Sequence, residues 1–248
     1  MDPQQLAEKV EHFHSKGFCV FDSIFASHNI DQLKHTALDN FNEVQEIIQS
    51  TNQEFGVGLK QGYDEIVQRQ AGRYEVPYKM TDIFKDISES PELLEIIHAI
   101  LGPEVIIANE SLIISMPGTS DQVWHADGPH MSVLEHLPAH CLNVFIPLVD
   151  ITPEEGPTEF RPASHYLTRD LKNMFLLAAL KKELLPNQRP LLKKGSALLV
   201  SELNCTVCVH KKAPTISLHI IIVISAHDTA IHTHHTFLMS LMYLPCAV

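Results

Sequence analysis

The triplet His125-Ala126-Asp127 sets an imidazole and a carboxylate two residues apart. On an extended strand residues i and i+2 face the same way, so both side chains can reach one ion. Two histidines and one carboxylate make the facial arrangement that suits Fe(II) and leaves positions open for a co-substrate and oxygen. The chain carries 16 histidines, so an isolated H-x-D is a weak signal that also reads as a structural pair. No H-E-x-x-H occurs, which disfavours a zinc hydrolase. The pair needs a strand beneath it and a second histidine from elsewhere.

Strands of that kind are expected from residue 104 onward. Val105-Ile106-Ile107, Leu112-Ile113-Ile114, Leu142 to Ile146 and Ala197 to Val200 are short β-rich runs broken by Pro, Gly and Asp. Upstream the pattern is helical. Asp2-Pro3 opens a helix with Leu6, Val10 and Phe13 on one face and Gly17 as its stop. Phe18 to Phe21 then reads as a buried strand. A second helix follows Ser27, with Ile30, Leu33, Ala37, Phe41, Val44 and Ile48 at helical spacing. A third starts at Ser90-Pro91-Glu92 and stops at Gly102. Residues 50–86 are polar and punctuated by Gly, which predicts loops with one or two irregular strands. Leu171 to Leu185 is read as an inserted helix. Helices followed by many short strands predict an α+β protein with a β-sandwich or jelly-roll core.

Composition narrows the function classes. The 248 residues carry a formal net charge of −12 with no basic stripe, which argues against nucleic acid as a partner. Five cysteines are scattered along the chain, an odd number that favours a reducing compartment. The first residues lack the basic and apolar regions of a signal peptide. The longest apolar stretch, Ile216 to Ala226, falls short of the roughly twenty residues a membrane span requires. A cytoplasmic protein acting on a small molecule is the expectation, with no membrane partner and an open oligomeric state.

The surroundings of the H-x-D strengthen it. Trp124 to His130 precedes Asn143-Val144-Phe145-Ile146-Pro147-Leu148-Val149-Asp150, and then Glu155-Gly156-Pro157-Thr158-Glu159-Phe160-Arg161-Pro162-Ala163-Ser164-His165. This ordered set resembles the phytanoyl-CoA dioxygenase family, from about Leu6 to Val200 and most specifically from Gln122 to Tyr166. The resemblance implies a double-stranded β-helix (jelly-roll, cupin-like) core with N-terminal flanking helices. It also implies Fe(II) held by His125 and Asp127, 2-oxoglutarate as co-substrate, and O2 consumed in hydroxylating a C–H bond. By the same resemblance Phe145 lines the co-substrate pocket, though a core Phe is equally expected there. Asn143 either faces the same cavity or satisfies a backbone group. His130 lines the entrance or lies on the surface. Arg73 either meets an acidic substrate or, as the simpler account, is a surface arginine. Pro162, Ser164 and His165 shape a turn that bonds backbone amides. Trp124 is read as packing.

The resemblance ends abruptly. The family places its second histidine about eleven residues after a glycine such as Gly195, and an arginine about ten residues further on. Eleven residues past Gly195 stands Thr206, and no arginine follows Arg189. From Leu203 onward only Lys211, Lys212 and Asp228 carry full charges, where the chain-wide 19% would give about nine. Six histidines fall between His210 and His235. Three explanations compete. Cys205 and Cys208 with His210 could form a zinc site; His210 could be the third iron ligand, with Lys211 or Lys212 replacing the arginine; or residues beyond about 200 are an alternative-splice or frameshifted reading.

The third is preferred, giving residues 1–200 as the dioxygenase-like domain and 201–248 as an atypical tail with barrel strands missing or aberrant. The alternative to an active enzyme is then a non-catalytic binding barrel. Sequencing the transcript across the codons for residues 195–210 tests it. An alternative frame or exon encoding a His and an Arg is the expected result, and a single exon without one contradicts it.

Overall fold

The computed structural model describes residues 1–51, 60–61, 63–77, 82–122, 124–127, 139–166, 186–201, 206–208, 212–226 and 244–245. Its helices begin and end where local chemistry directs. Helix α1 (Pro3–Lys16) is capped by the Asp2 carboxylate, which accepts from the Gln5 amide at 3.3 Å. At its other end Gly17 takes φ 86° and donates to the Phe13 carbonyl. Strand β1 (Phe18–Phe21) follows, then α2 (Ser27–Thr51), which buries Ile30, Leu33, Ala37 and Phe41. Helices α3 (Asp82–Ser88) and α4 (Pro91–Leu101) complete the helical layer, with Ser90 capping α4.

The remaining strands are β2 (Lys60–Gln61), β3 (Tyr63–Gln70), β4 (Arg73–Pro77), β5 (Val105–Ser115), β6 (His125–Ala126), β7 (Cys141–Pro147), β8 (Thr158–Phe160), β9 (Ala197–Ser201), β10 (Thr206–Cys208), β11 (Ser217–Ala226) and β12 (Leu244–Pro245). They form an eight-stranded antiparallel sheet, β1-β9-β7-β11-β5-β4-β3-β2, and a four-stranded one, β12-β6-β10-β8. Alternate residues of the large sheet serve two clusters. Val76, Leu112, Ile114, Leu142, Val144, Ile146, Leu199, Leu218, Ile220, Ile222 and Ile224 pack against the helices. Phe18, Leu198, Val200 and Phe145 point the other way and meet Phe160 of the small sheet. This is the expected α+β jelly-roll, and the second cluster lies between its sheets.

Three expectations change. Residues 60–77 form a meander of three strands that widens the large sheet, broken by register shifts in β2–β3 and β3–β4. The polar sequence hid this because β4 turns Arg73 and Glu75 toward the inner face. Val105–Ile107 and Leu112–Ile114 belong to one 11-residue strand. Among the described residues beyond 201, the strands β10, β11 and β12 all pair within the two sheets. β11 lies between β5 and β7, paired with β5 from Ser217 to Ala226 with one register shift between Val223 and Ile224, and with β7 from His219 to Ser225. Its run of isoleucines suits a strand buried from both sides. The proposed helix from Leu171 to Leu185 lies outside the described residues.

Gly195 opens β9 at φ 80°, where an added Cβ would stand 2.9 Å from the Phe25 carbonyl oxygen. The Phe25 amide donates to the Gly195 carbonyl at 3.0 Å, so the glycine lets the chain between β1 and α2 dock against the start of β9.

Because Ile222 is fully buried in a central strand, Ile222→Ala should destabilise the protein by about 2–5 kcal/mol. At roughly 2–4 °C per kcal/mol, thermal unfolding should fall by about 4 °C at the least. An unchanged melting temperature would mean that the tail is not part of the folded core.

Candidate metal centre

His125 ends up 5% exposed on β6, the second strand of the small sheet, and Asp127 follows at the bend that closes it. His125 Nε2 and Asp127 Oδ1 lie 3.3 Å apart, so the two donors converge on one point as the i, i+2 spacing requires. Asn143, on β7 of the opposite sheet and 4% exposed, donates from Nδ2 to Asp127 Oδ2 at 2.6 Å. That bond sets the Asn143 amide against the Asp127 carboxylate. Holding one carboxylate oxygen fixes the other toward His125, the role supporting hydrogen bonds play around metal ligands.

Phe145, two residues along β7, faces the same side and packs with the inter-sheet cluster, where Phe18 and Phe160 stack at 4.6 Å. Trp124 packs as expected, with the Arg161 guanidinium 4.5 Å from its ring centroid. The turn at Pro162 to Tyr166 is structural. His165 Nε2 and the Tyr166 hydroxyl both meet the His14 carbonyl, at 3.0 and 2.6 Å.

Arg73 departs from its simpler account. It is 2% exposed on the inner face of β4, and its Nε donates to Ser115 Oγ at 3.1 Å. Register aligns Arg73 with Ser115 on β5, and Ser115 with Ser217 on β11. Ser217 stands about where the family's arginine is expected. Glu75, two residues on, accepts from Ser111 Oγ at 3.0 Å. Sequence reading missed this polar row. Its only signal was the alternation of Arg73 and Glu75 with Tyr74 and Val76.

Lys212 is exposed, and its backbone amide donates to the Glu154 carbonyl at 2.8 Å. At Ser217 the hydroxyl donates to the Glu155 carboxylate, which also accepts from Thr215 Oγ1 at 2.7 Å. His130, Cys205, Lys211 and His210 lie outside the described residues. Among the described residues no group of three His, Cys, Asp or Glu side chains is placed to hold a metal ion. Position 206 pairs directly with His125 across the β10–β6 ladder.

The family description for phytanoyl-CoA dioxygenase (PhyH) matches residues 13–201, a segment that includes His125, Asp127, Asn143 and Phe145. The chain belongs to the phytanoyl-CoA dioxygenase family. The dioxygenase easH of Epichloe festucae var. lolii is 40% identical over 52 residues, which span 20% of this chain and 28% of that relative. Among solved structures, the non-heme alpha-ketoglutarate-dependent epimerase SnoN of nogalamycin biosynthesis superposes with a TM-score of 0.67 at 14% identity, covering 91% of this chain and 82% of that one. EctD from S. alaskensis, solved with 2-oxoglutarate and 5-hydroxyectoine, gives 0.67 at 18% identity over 92% of this chain and 77% of its own. HygX from Streptomyces hygroscopicus, solved with nickel and 2-oxoglutarate, gives 0.62 at 13% identity, over 89% and 87%. These likenesses show the fold.

Replacing Asn143 by Leu keeps the volume and removes the donor. Affinity for Mn(II) or Co(II), measured by calorimetric titration, should fall by about 10–100-fold. Unchanged affinity in a folded variant would show that the Asp127 carboxylate needs no such support.

Proposed function

We propose that the chain is an Fe(II)- and 2-oxoglutarate-dependent dioxygenase that hydroxylates a small organic or acyl molecule. The observation that carries this reading is the convergence of His125 Nε2 and Asp127 Oδ1, 3.3 Å apart between two jelly-roll sheets. An imidazole and a carboxylate are the donors Fe(II) accepts in oxygenase centres, and the buried His125 and its apolar neighbours keep the position dry. When bound, the ferrous ion with 2-oxoglutarate and O2 supplies the oxidising power for a C–H hydroxylation, leaving succinate and CO2.

The residues of the chain do the rest. His125 and Asp127 hold the ion, and Asn143 fixes the carboxylate that binds it. Phe145, with Phe18, Phe160, Leu198 and Val200, excludes water from that side. Arg73 is the buried cation on the inner face, and we assign it to a carboxylate of the co-substrate or of an acidic substrate. The other buried arginine among the described residues, Arg161, is stacked on Trp124. The charge balance supports a small molecule rather than nucleic acid as partner. A reducing, cytoplasmic compartment fits Cys19 and Cys141, both buried and neither in a disulfide. No helix among the described residues is long and apolar enough to cross a membrane.

A second reading, a binding barrel without catalysis, is favoured by Thr206 and Ser217 standing where a ligand and a clamp are expected. One assay separates the two. With Fe(II), ascorbate and 2-oxoglutarate, the full chain should release succinate above a His125→Ala control. Arg73→Met should raise the KM for 2-oxoglutarate by roughly tenfold or more, the cost of one charge-assisted hydrogen bond. Metal binding with no succinate release would favour the binding barrel.

A further inference from the structure

Among the described residues, β1 lies at one edge of the large sheet, and a single bridge to Gln188 extends the small sheet past β8. There the Gln188 amide donates to the Phe160 carbonyl at 3.0 Å, and the Phe160 amide to the Gln188 carbonyl at 2.8 Å. Between these two edges, flanked by α1, runs a groove of about 620 Å³. Small-molecule sites occupy roughly 300–1,000 Å³. Helix α1 gives the groove Glu8, Lys9 and His12, β1 gives Phe18 and Val20, and Arg189 stands on the far wall.

The lining divides by chemistry. Phe18 and Val20 make an apolar floor that packs with the inter-sheet cluster, and the His12 and Phe18 rings meet edge to face at 5.8 Å. Two cations form the rim. Lys9 Nζ donates to the Val20 carbonyl at 2.7 Å, one of the three bonds an ammonium can make. Arg189 Nε donates to Glu159 at 2.5 Å, one of the five for a guanidinium, and more than half of its side chain is exposed. Burial first, and then the charges of Lys16 and Lys9, lower the pKa of His12 below its ordinary value. The field of both amines therefore reaches this wall. Lys9, Lys16 and Arg189 against Glu8 and Glu159 give a positive balance here, in a chain whose formal net charge is −12.

We infer that this groove is a second binding site, one for an organic acid: its carboxylate meets Lys9 and Arg189, and its apolar body lies over Phe18 and Val20. The site stands beside the candidate metal position and is separate from it. Phe18 pairs with Val200, and Val200 with Asn143. The groove floor thus shares a cross-strand row with the residue that bonds Asp127, two strands or about 10 Å away. The inference does not depend on the assignment of His125 and Asp127, so either can fail alone.

The experiment is a calorimetric titration of the full chain with decanoate, and with decanol as the same body without the charge. Decanoate should bind at least about tenfold tighter, the value of one charge-assisted hydrogen bond. Lys9→Gln and Arg189→Gln keep a donor for Val20 and Glu159 while removing the charge, and each should weaken decanoate by roughly tenfold. Glu8→Gln removes a like charge from the rim and should tighten it. His125→Ala and Arg73→Met should bind decanoate as the parent does.

Melting temperatures establish that the variants fold, and the comparison of decanoate with decanol in the unaltered chain stays decisive if one does not. No heat of binding for decanoate, or equal affinity for decanoate and decanol, overturns the inference. Unchanged affinity in folded Lys9→Gln and Arg189→Gln does the same. Weaker binding in Glu8→Gln would mean that the rim draws cations, which also contradicts it. If Arg73→Met loses decanoate while both rim variants keep it, the acid binds inside the barrel; the groove site is then wrong and the dioxygenase reading stands.

Discussion

The hydrogen bond from Asn143 Nδ2 to Asp127 Oδ2, 2.6 Å long, joins the two sheets of the barrel at the candidate metal position. Its donor is on β7, in the large sheet, and its acceptor ends β6, in the small one. Everything else in the site depends on those strands facing each other at that spacing. A carboxylate drawn partly out of water without a partner is costly, and the amide supplies one. The bond thus satisfies one carboxylate oxygen and directs the other toward His125.

What keeps the sheets in place is the inter-sheet cluster around Phe18, Phe145, Phe160, Leu198 and Val200, together with the helix-side core that β11 completes. β11 has the most extensive pairing in the molecule, against β5 over its whole length and against β7 over most of it. Its isoleucines alternate, Ile220, Ile222 and Ile224 toward the helices and Ile221 toward the interior. The segment that departs most from the family in sequence is therefore physically central to the fold. Among the described residues it carries a threonine and a serine where a ligand and an arginine are expected.

Much of this was legible in the residues. Asp2, Pro3 and Gly17 marked α1, and Ser90, Pro91 and Gly102 marked α4, because capping depends on local groups alone. The H-x-D pair and the ordered turns after it pointed to the barrel and to the place where His125 and Asp127 meet. The role of Asn143 could not be chosen from sequence, since the choice depends on which strand lies across the barrel. Arg73 read as a surface residue because its polar neighbours along β3 and β4 resemble a solvated loop, and only the pairing with β5 turns it inward. The Ile216 to Ala226 run was weighed as a membrane candidate and rejected on length. The same run of β-branched residues was also the signal of a buried strand. Thr206 was singled out by counting from Gly195, and the ladders now give that count a place in space.

The account's central claim is that one divalent ion is held between the sheets by His125 and Asp127. Anomalous diffraction from crystals grown with Mn(II) or Co(II) tests this most directly. The claim predicts a single strong peak about 2.0–2.2 Å from both His125 Nε2 and Asp127 Oδ1, with Asn143 bonded to the other carboxylate oxygen. A peak elsewhere in the chain, or none beside an ordered His125 and Asp127 at saturating metal, would contradict it.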